Sequence, residues 1–149
     1  ESLADFAVLR DEIPWQEMNH KGGPVPRLVA VQGTVAPEGS YPIYRHPADE
    51  QPTLRSWSPL VLRMKECVEQ AVCQEFNHAL IQWYRSGDDN ISEHADKTLD
   101  IKRGTSIVNL TLGATRTMVL RTKGNSGGTR KVGAASERKT ERVRLNHNS

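Results

Sequence analysis

Residues 76–96 read Phe76-Asn-His-Ala-Leu-Ile-Gln-Trp-Tyr84-Arg-Ser-Gly-Asp-Asp-Asn90-Ile-Ser-Glu-His94-Ala-Asp96. Phe76 to Tyr84 is rich in apolar and aromatic residues and predicts a β-strand. Ser86-Gly87-Asp88-Asp89-Asn90 is a cluster of turn formers. Ile91 to Asp96 predicts the next strand. On a strand, residues i and i+2 point to the same face. The imidazole of His94 and the carboxylate of Asp96 can therefore reach one ion side by side. They supply two of the three protein ligands of a 2-His-1-carboxylate site, which leaves positions open for O₂ chemistry at Fe(II). Alone, His94 reads as a surface strand histidine and Asp96 as a solvated carboxylate near a turn. After Asp96 the only histidine is His147, two residues from Ser149.

Upstream, Ser58-Pro59 predicts a helix start, with Ser at the N-cap and Pro in the first turn. Leu60, Met64, Cys67, Val68 and Ala71 follow on one apolar face. Between Pro24 and Pro59 lie seven of the eight prolines, so this stretch reads as short extended pieces joined by turns, with an apolar strand near Leu28–Gln32. Downstream, Ser106–Leu112 alternates apolar and polar residues, as a half-buried strand does. Gly113 turns the chain, Thr117–Arg121 runs back, and Arg142–Leu145 starts one more strand. Residues 123–136, rich in Gly and Ser, read as a loop. The pattern is a helix-containing N-terminal part followed by short strands, which suggests a sandwich, jelly roll or partial barrel.

The 149 residues amount to about one domain. Mean hydropathy is −0.60, and no apolar run approaches the ~20 residues of a membrane helix, so no membrane partner is expected. Cys67 and Cys73 fall on different faces of the predicted helix, which argues against a mutual disulfide and for an intracellular, reducing compartment. Charge is uneven. Residues 1–115 carry 11 Lys and Arg against 16 Asp and Glu, while residues 116–149 carry 9 against 2. A basic segment of this kind can follow a phosphate backbone or form a solvated face.

Taken together, these residues resemble the AlkB-like family of Fe(II)/2-oxoglutarate dioxygenases. The resemblance runs through Val25-Pro26-Arg27, the helix from Ser58, Phe76–Tyr84, Gly87, Asp89, Ile91 and Glu93–Asp96. It ends with Ser106–Arg116 and Arg142–Leu145. A lone H-x-D is a weak signal, and the ordered set is far more specific. The resemblance implies an α+β, mainly β fold: a partial double-stranded β-helix, or jelly roll, behind an N-terminal helix-containing substrate-recognition region. It divides one domain over 1–149 into a lid region (1–57), a helix (58–73) and an incomplete jelly-roll core (76–149).

The resemblance further implies that His94 and Asp96 are iron ligands and catalytic residues, and that Tyr84 bonds the 2-oxoglutarate carboxylate. Gln82 stands where the family usually has Asn, so an amide remains for the cosubstrate, one methylene longer. Tyr41 or Tyr44 could stack on a flipped base, and Arg27 could meet a phosphate. The implied cofactors are Fe(II), 2-oxoglutarate and O₂. The implied partner is nucleic acid, DNA or RNA, in the nucleus or cytoplasm, and the implied reaction is oxidative demethylation of an alkylated base.

The sequence departs from the family in three ways. The distal iron histidine and the arginines that grip 2-oxoglutarate are expected beyond Ser149, in a chain read as C-terminally truncated, so His147 is not the expected third ligand. Lys97-Thr98-Leu99-Asp100 stands where many members carry an acidic pair that helps read the base. The missing strands would leave the barrel open. Two other functions therefore stay in view: the same oxygenase chemistry on a protein or small molecule, and a non-catalytic binding fragment.

Overall fold

The computed structural model describes residues 3–20, 22–43, 52–96, 99, 101–122 and 138–149. Tyr44, Lys97, Thr98, Asp100 and residues 123–137 lie outside them. The chain mixes helix and sheet, with strands predominating: α1 (Leu3–Glu12), β1 (Gln16–His20), β2 (Gly23–Gly33), β3 (Leu54–Arg55), α2 (Pro59–Val72), β4 (His78–Trp83), β5 (Arg116–Arg121) and β6 (Thr140–Leu145). It divides into two compact units, one over Ala4–Val108 and one comprising Asn109–Ser149 with the first three residues.

In the larger unit everything is built on β2. β4 pairs antiparallel with it from Leu28↔Trp83 to Gly33↔His78. β1 (antiparallel) and β3 (parallel) pair with it at Gln16↔Val29 and Val31↔Leu54. A strand has two edges and β4 occupies one over this range, so β1 and β3 follow each other along the other. The β1 ladder slips between Glu17 and Asn19, a bulge that accommodates Met18.

Alternation along β2 separates two faces. Ala30 packs with Ile13 and Val61, joined by Leu9, Trp15, Trp57 and Ile81, so both helices cover this face. Val25 and Val29 pack on the opposite face with Met18 and Leu80. That second face also carries Arg27 and, across the ladder from Val29, Gln82. Burying each of these aliphatic side chains contributes roughly 1.5–3 kcal/mol.

The helix expected from Ser58-Pro59 spans Pro59–Val72, with Leu60, Val61 and Met64 buried and Cys67 exposed. Ser58 occupies the N-cap, but its side chain makes no cap bond. Its hydroxyl accepts from Gln32 Nε2 (3.3 Å) and its amide donates to Gln32 Oε1 (2.8 Å). A buried amide of the central strand thus replaces the usual self-capping. The helix ends at Cys73 in the left-handed region, φ 53°. Glu69 then accepts the Phe76 amide (2.6 Å), handing the chain to β4, and its pKa is lowered first by the hydrogen bond from Lys65. α1 was not legible in the sequence because its apolar residues form no stripe and none is buried.

Two expected strands are absent. Ile91–Asp96 and Ser106–Leu112 have no sheet ladder among the described residues. An extended pattern becomes a strand only when a neighbour takes its backbone bonds. Around Ser106 that role falls to a side chain: Gln74 accepts the Ser106 amide and donates to its carbonyl, both at 2.8 Å. In the smaller unit, Thr111 exchanges bonds with Ser149 and Asn148 (2.8 and 2.7 Å). There β5 pairs antiparallel with β6, from Arg116↔Leu145 to Arg121↔Thr140.

His78 is the second face's weak point. Its Nε2 is buried with no hydrogen-bond partner among the described residues, and burial pushes its pKa below 6.5. The folded state holds it neutral, whereas the unfolded chain takes up a proton below about pH 6.5. Stability is therefore full above that pH and declines as pH falls toward the folded value. Urea unfolding at pH 7.5 and 5.5 should show a smaller acid-induced drop for His78→Phe than for wild type. An unchanged drop would place the acid sensitivity elsewhere.

Candidate metal and anion site

His94 and Asp96 converge although no strand carries them. His94 Nε2 lies 3.4 Å from Asp96 Oδ1. His94 Nδ1 lies 2.8 Å from the Ser92 carbonyl oxygen. A carbonyl can only accept, so a neutral imidazole bonded there through Nδ1–H would present the Nε2 lone pair beside the Asp96 carboxylate. Two lone-pair donors turned toward each other suit a shared cation, and a backbone carbonyl on the other ring nitrogen is the usual outer-shell arrangement of a ligating histidine. Both side chains are solvent-accessible, and no third His, Cys, Asp or Glu joins them among the described residues. The donor chemistry fits a divalent ion held in part by this pair.

The segment is anchored upstream of the pair. Asp89 is 7 % exposed. It accepts the Arg85 amide (2.9 Å) and two bonds from the Arg85 guanidinium (2.7 and 3.0 Å). The first of the effects raising Arg85's pKa is this side-chain hydrogen bond. The Asn90 amide donates to the Pro26 carbonyl (2.9 Å), which pins the turn to β2. Composition marked residues 86–90 as a turn but not Asp89 as its anchor. The signal was Arg85 four residues before a carboxylate.

Three candidate residues come together on the second face of the sheet. Arg27 Nε donates to Gln82 Oε1 at 2.6 Å, and Tyr84 Oη donates to the same oxygen at 3.4 Å. The Gln82 oxygen is thus engaged, and its amide NH₂ is the group left to bond an acceptor. Arg27, expected at a substrate phosphate, is 6 % exposed, and its Nη1 donates to the Asn90 carbonyl (3.3 Å). A buried guanidinium whose bonds go to neutral oxygens favours an anion nearby. Tyr41 stands apart from this trio. It is 59 % exposed and lines an apolar groove of about 420 Å³ with Val35, Pro42, Ile43 and Leu54. Tyr44 lies outside the described residues. His147 Nδ1 accepts the Gly113 amide (2.9 Å) in the smaller unit.

The 2OG-Fe(II) oxygenase superfamily matches the chain over residues 1–149. The human DNA oxidative demethylase ALKBH2 is 34 % identical over 73 residues, 49 % of this chain and 28 % of that protein. The mouse protein of the same name is 32 % identical over 75 residues, 50 % of this chain and 31 % of its own length. The bovine alpha-ketoglutarate-dependent dioxygenase alkB homolog 3 is 30 % identical over 122 residues, 79 % of this chain and 40 % of that protein. The chain spans less than half the length of these curated relatives.

Asp89→Ala should free the turn that precedes the ligand pair. Anaerobic Fe(II) titration of the whole protein should show affinity weakened by roughly 10- to 100-fold, the scale of an outer-shell loss. Hydrogen exchange at the Arg85 and Asn90 amides should rise in parallel. Unchanged affinity and exchange would mean that Asp89 does not hold the segment.

Proposed function

Because the chain belongs to the 2OG-Fe(II) oxygenase superfamily and is AlkB-like within it, we propose that the protein oxidatively demethylates alkylated nucleic-acid bases. The observation that carries the reading is the approach of His94 Nε2 to Asp96 Oδ1 at 3.4 Å, with Nδ1 fixed on the Ser92 carbonyl. When bound, Fe(II) with 2-oxoglutarate and O₂ supplies the oxidising power for a methyl C–H bond, and the hydroxymethyl product releases formaldehyde. We take the strands as parts of the double-stranded β-helix of that family.

The chain's own residues do the positioning. His94 and Asp96 hold the cation. The Ser92 carbonyl keeps the imidazole in the tautomer that presents Nε2. Gln82 turns its NH₂ toward the 2-oxoglutarate carboxylate because Arg27 Nε and Tyr84 Oη occupy its oxygen. Arg27 adds a buried positive charge beside the same anion, which moves it from the phosphate role that its sequence context suggested to the cosubstrate pocket. Tyr41, exposed above an apolar groove, offers a ring for stacking on an extruded base.

Formaldehyde release from a methylated single-stranded oligonucleotide by the whole protein tests the reading. His94→Ala should abolish release while binding of the unmodified oligonucleotide persists, since phosphate contacts come from other residues. Gln82→Ala should raise the 2-oxoglutarate KM by roughly 10- to 100-fold, about the worth of one hydrogen bond to a charged group. Release that survives His94→Ala, or that needs no 2-oxoglutarate, would overturn the proposal.

A further inference from the structure

The β5–β6 ribbon has two unlike faces. The register pairs Arg116 with Leu145, Met118 with Val143, and Leu120 with Glu141. Those six residues share one side, and Arg116, Met118 and Leu145 on it are half-buried. The alternate pairs are Thr117 with Arg144, Val119 with Arg142, and Arg121 with Thr140. All six of these are exposed. The second side thus presents three arginines and two threonine hydroxyls, and the strand carboxylate, Glu141, belongs to the first side.

We propose that this arginine side of the ribbon is a docking surface for the phosphodiester backbone of single-stranded nucleic acid. Arg142 and Arg144 are alternate residues of one strand, about 6.7 Å apart along it, a spacing on the order of one nucleotide step in an extended strand. Arg121 lies diagonally across the ladder from Arg142, within reach of a long side chain. Guanidinium forks bond phosphate in bidentate fashion, and the threonine hydroxyls donate to the same oxygens. The six paired residues of this side include three arginines, with Arg142 and Arg144 alternate on one strand, and no Asp or Glu, a composition that suits a polyanion, and a two-stranded ribbon sets its charges in line rather than in a cluster. The surface reads no base and supplies register and affinity only. The choice of nucleic acid rests on the proposed demethylase reading, but the charge geometry does not.

The test is binding of an unmodified single-stranded oligonucleotide to the whole protein by fluorescence anisotropy, across a salt series and without iron or 2-oxoglutarate. Turnover plays no part, so failure of the demethylase reading leaves this readout intact. Arg142→Gln with Arg144→Gln should weaken binding and make the log K against log salt slope shallower by about 1.4, from ~0.7 per phosphate contact on a single strand. Lys102→Gln with Arg103→Gln, the same charge change in the larger unit, should leave the slope near wild type. Circular dichroism should show both variants folded. The proposal is overturned if the ribbon variant keeps the wild-type slope, if the control pair lowers it equally, or if the oligonucleotide does not bind.

Discussion

One buried guanidinium ties the larger unit together. Arg27 sits on the central strand, bonds the side chain of Gln82 on one neighbour, and reaches the Asn90 carbonyl in the turn beyond β4. One residue earlier, the Pro26 carbonyl takes the Asn90 amide. Sheet, candidate cosubstrate residues and the approach to the ligand pair thus share two consecutive positions of β2. A buried cation is costly unless its hydrogen bonds are met. Gln82 and Asn90 are therefore held where Arg27 needs them, and the requirement that stabilises the charge also arranges the candidate site.

The division of labour between the two faces of the sheet follows from the same strand. The face with Ala30 is covered by both helices. Its polar residue, Gln32, is spent on clamping the start of α2. Asp5 of α1 and Arg63 of α2 pair at 2.7 Å, fastening the helices to each other outside that core. The opposite face keeps a small aliphatic cluster and then turns polar at Arg27 and Gln82. Two helices on one side free the other side to hold charge. β2 tolerates Pro24 and Pro26 because its ladder with β4 begins only at Leu28, so that edge of the strand asks no ladder donor of either proline.

What the sequence made legible was whatever side-chain pattern alone determines. Ser58-Pro59 and the apolar spacing that follows place α2 within a residue of its observed ends. The apolar run after Phe76 becomes β4, and the one around Leu28–Gln32 becomes the far half of β2. Patterns that need a partner misled. Ile91–Asp96 and Ser106–Leu112 alternate as strands do, but alternation does not say whether a neighbour is present to complete the ladder. β1 has no legible pattern because Gln16-Glu-Met-Asn-His20 offers one buried residue, Met18, and that on a bulge. His94 and Asp96 meet without the pleat that their spacing predicts. A bond between the imidazole and the Ser92 carbonyl takes its place, and residue types two apart could not reveal that route. Arg27 beside Gln82 was also invisible, since they stand 55 residues apart in the chain.

The missing ladder around His94 has a thermodynamic side. A side chain mounted within a sheet is immobilised when the protein folds. Here the backbone is fastened as far as Asn90, and the six residues after it carry no sheet bonds among the described residues. Whatever backbone freedom folding leaves there would be lost on capture of an ion, at roughly 1–2 kcal/mol for each residue ordered. Under the proposed metal role, capture and local ordering would form a single equilibrium, in which intrinsic affinity is traded for a chelating arm that can adjust its bite to the ion.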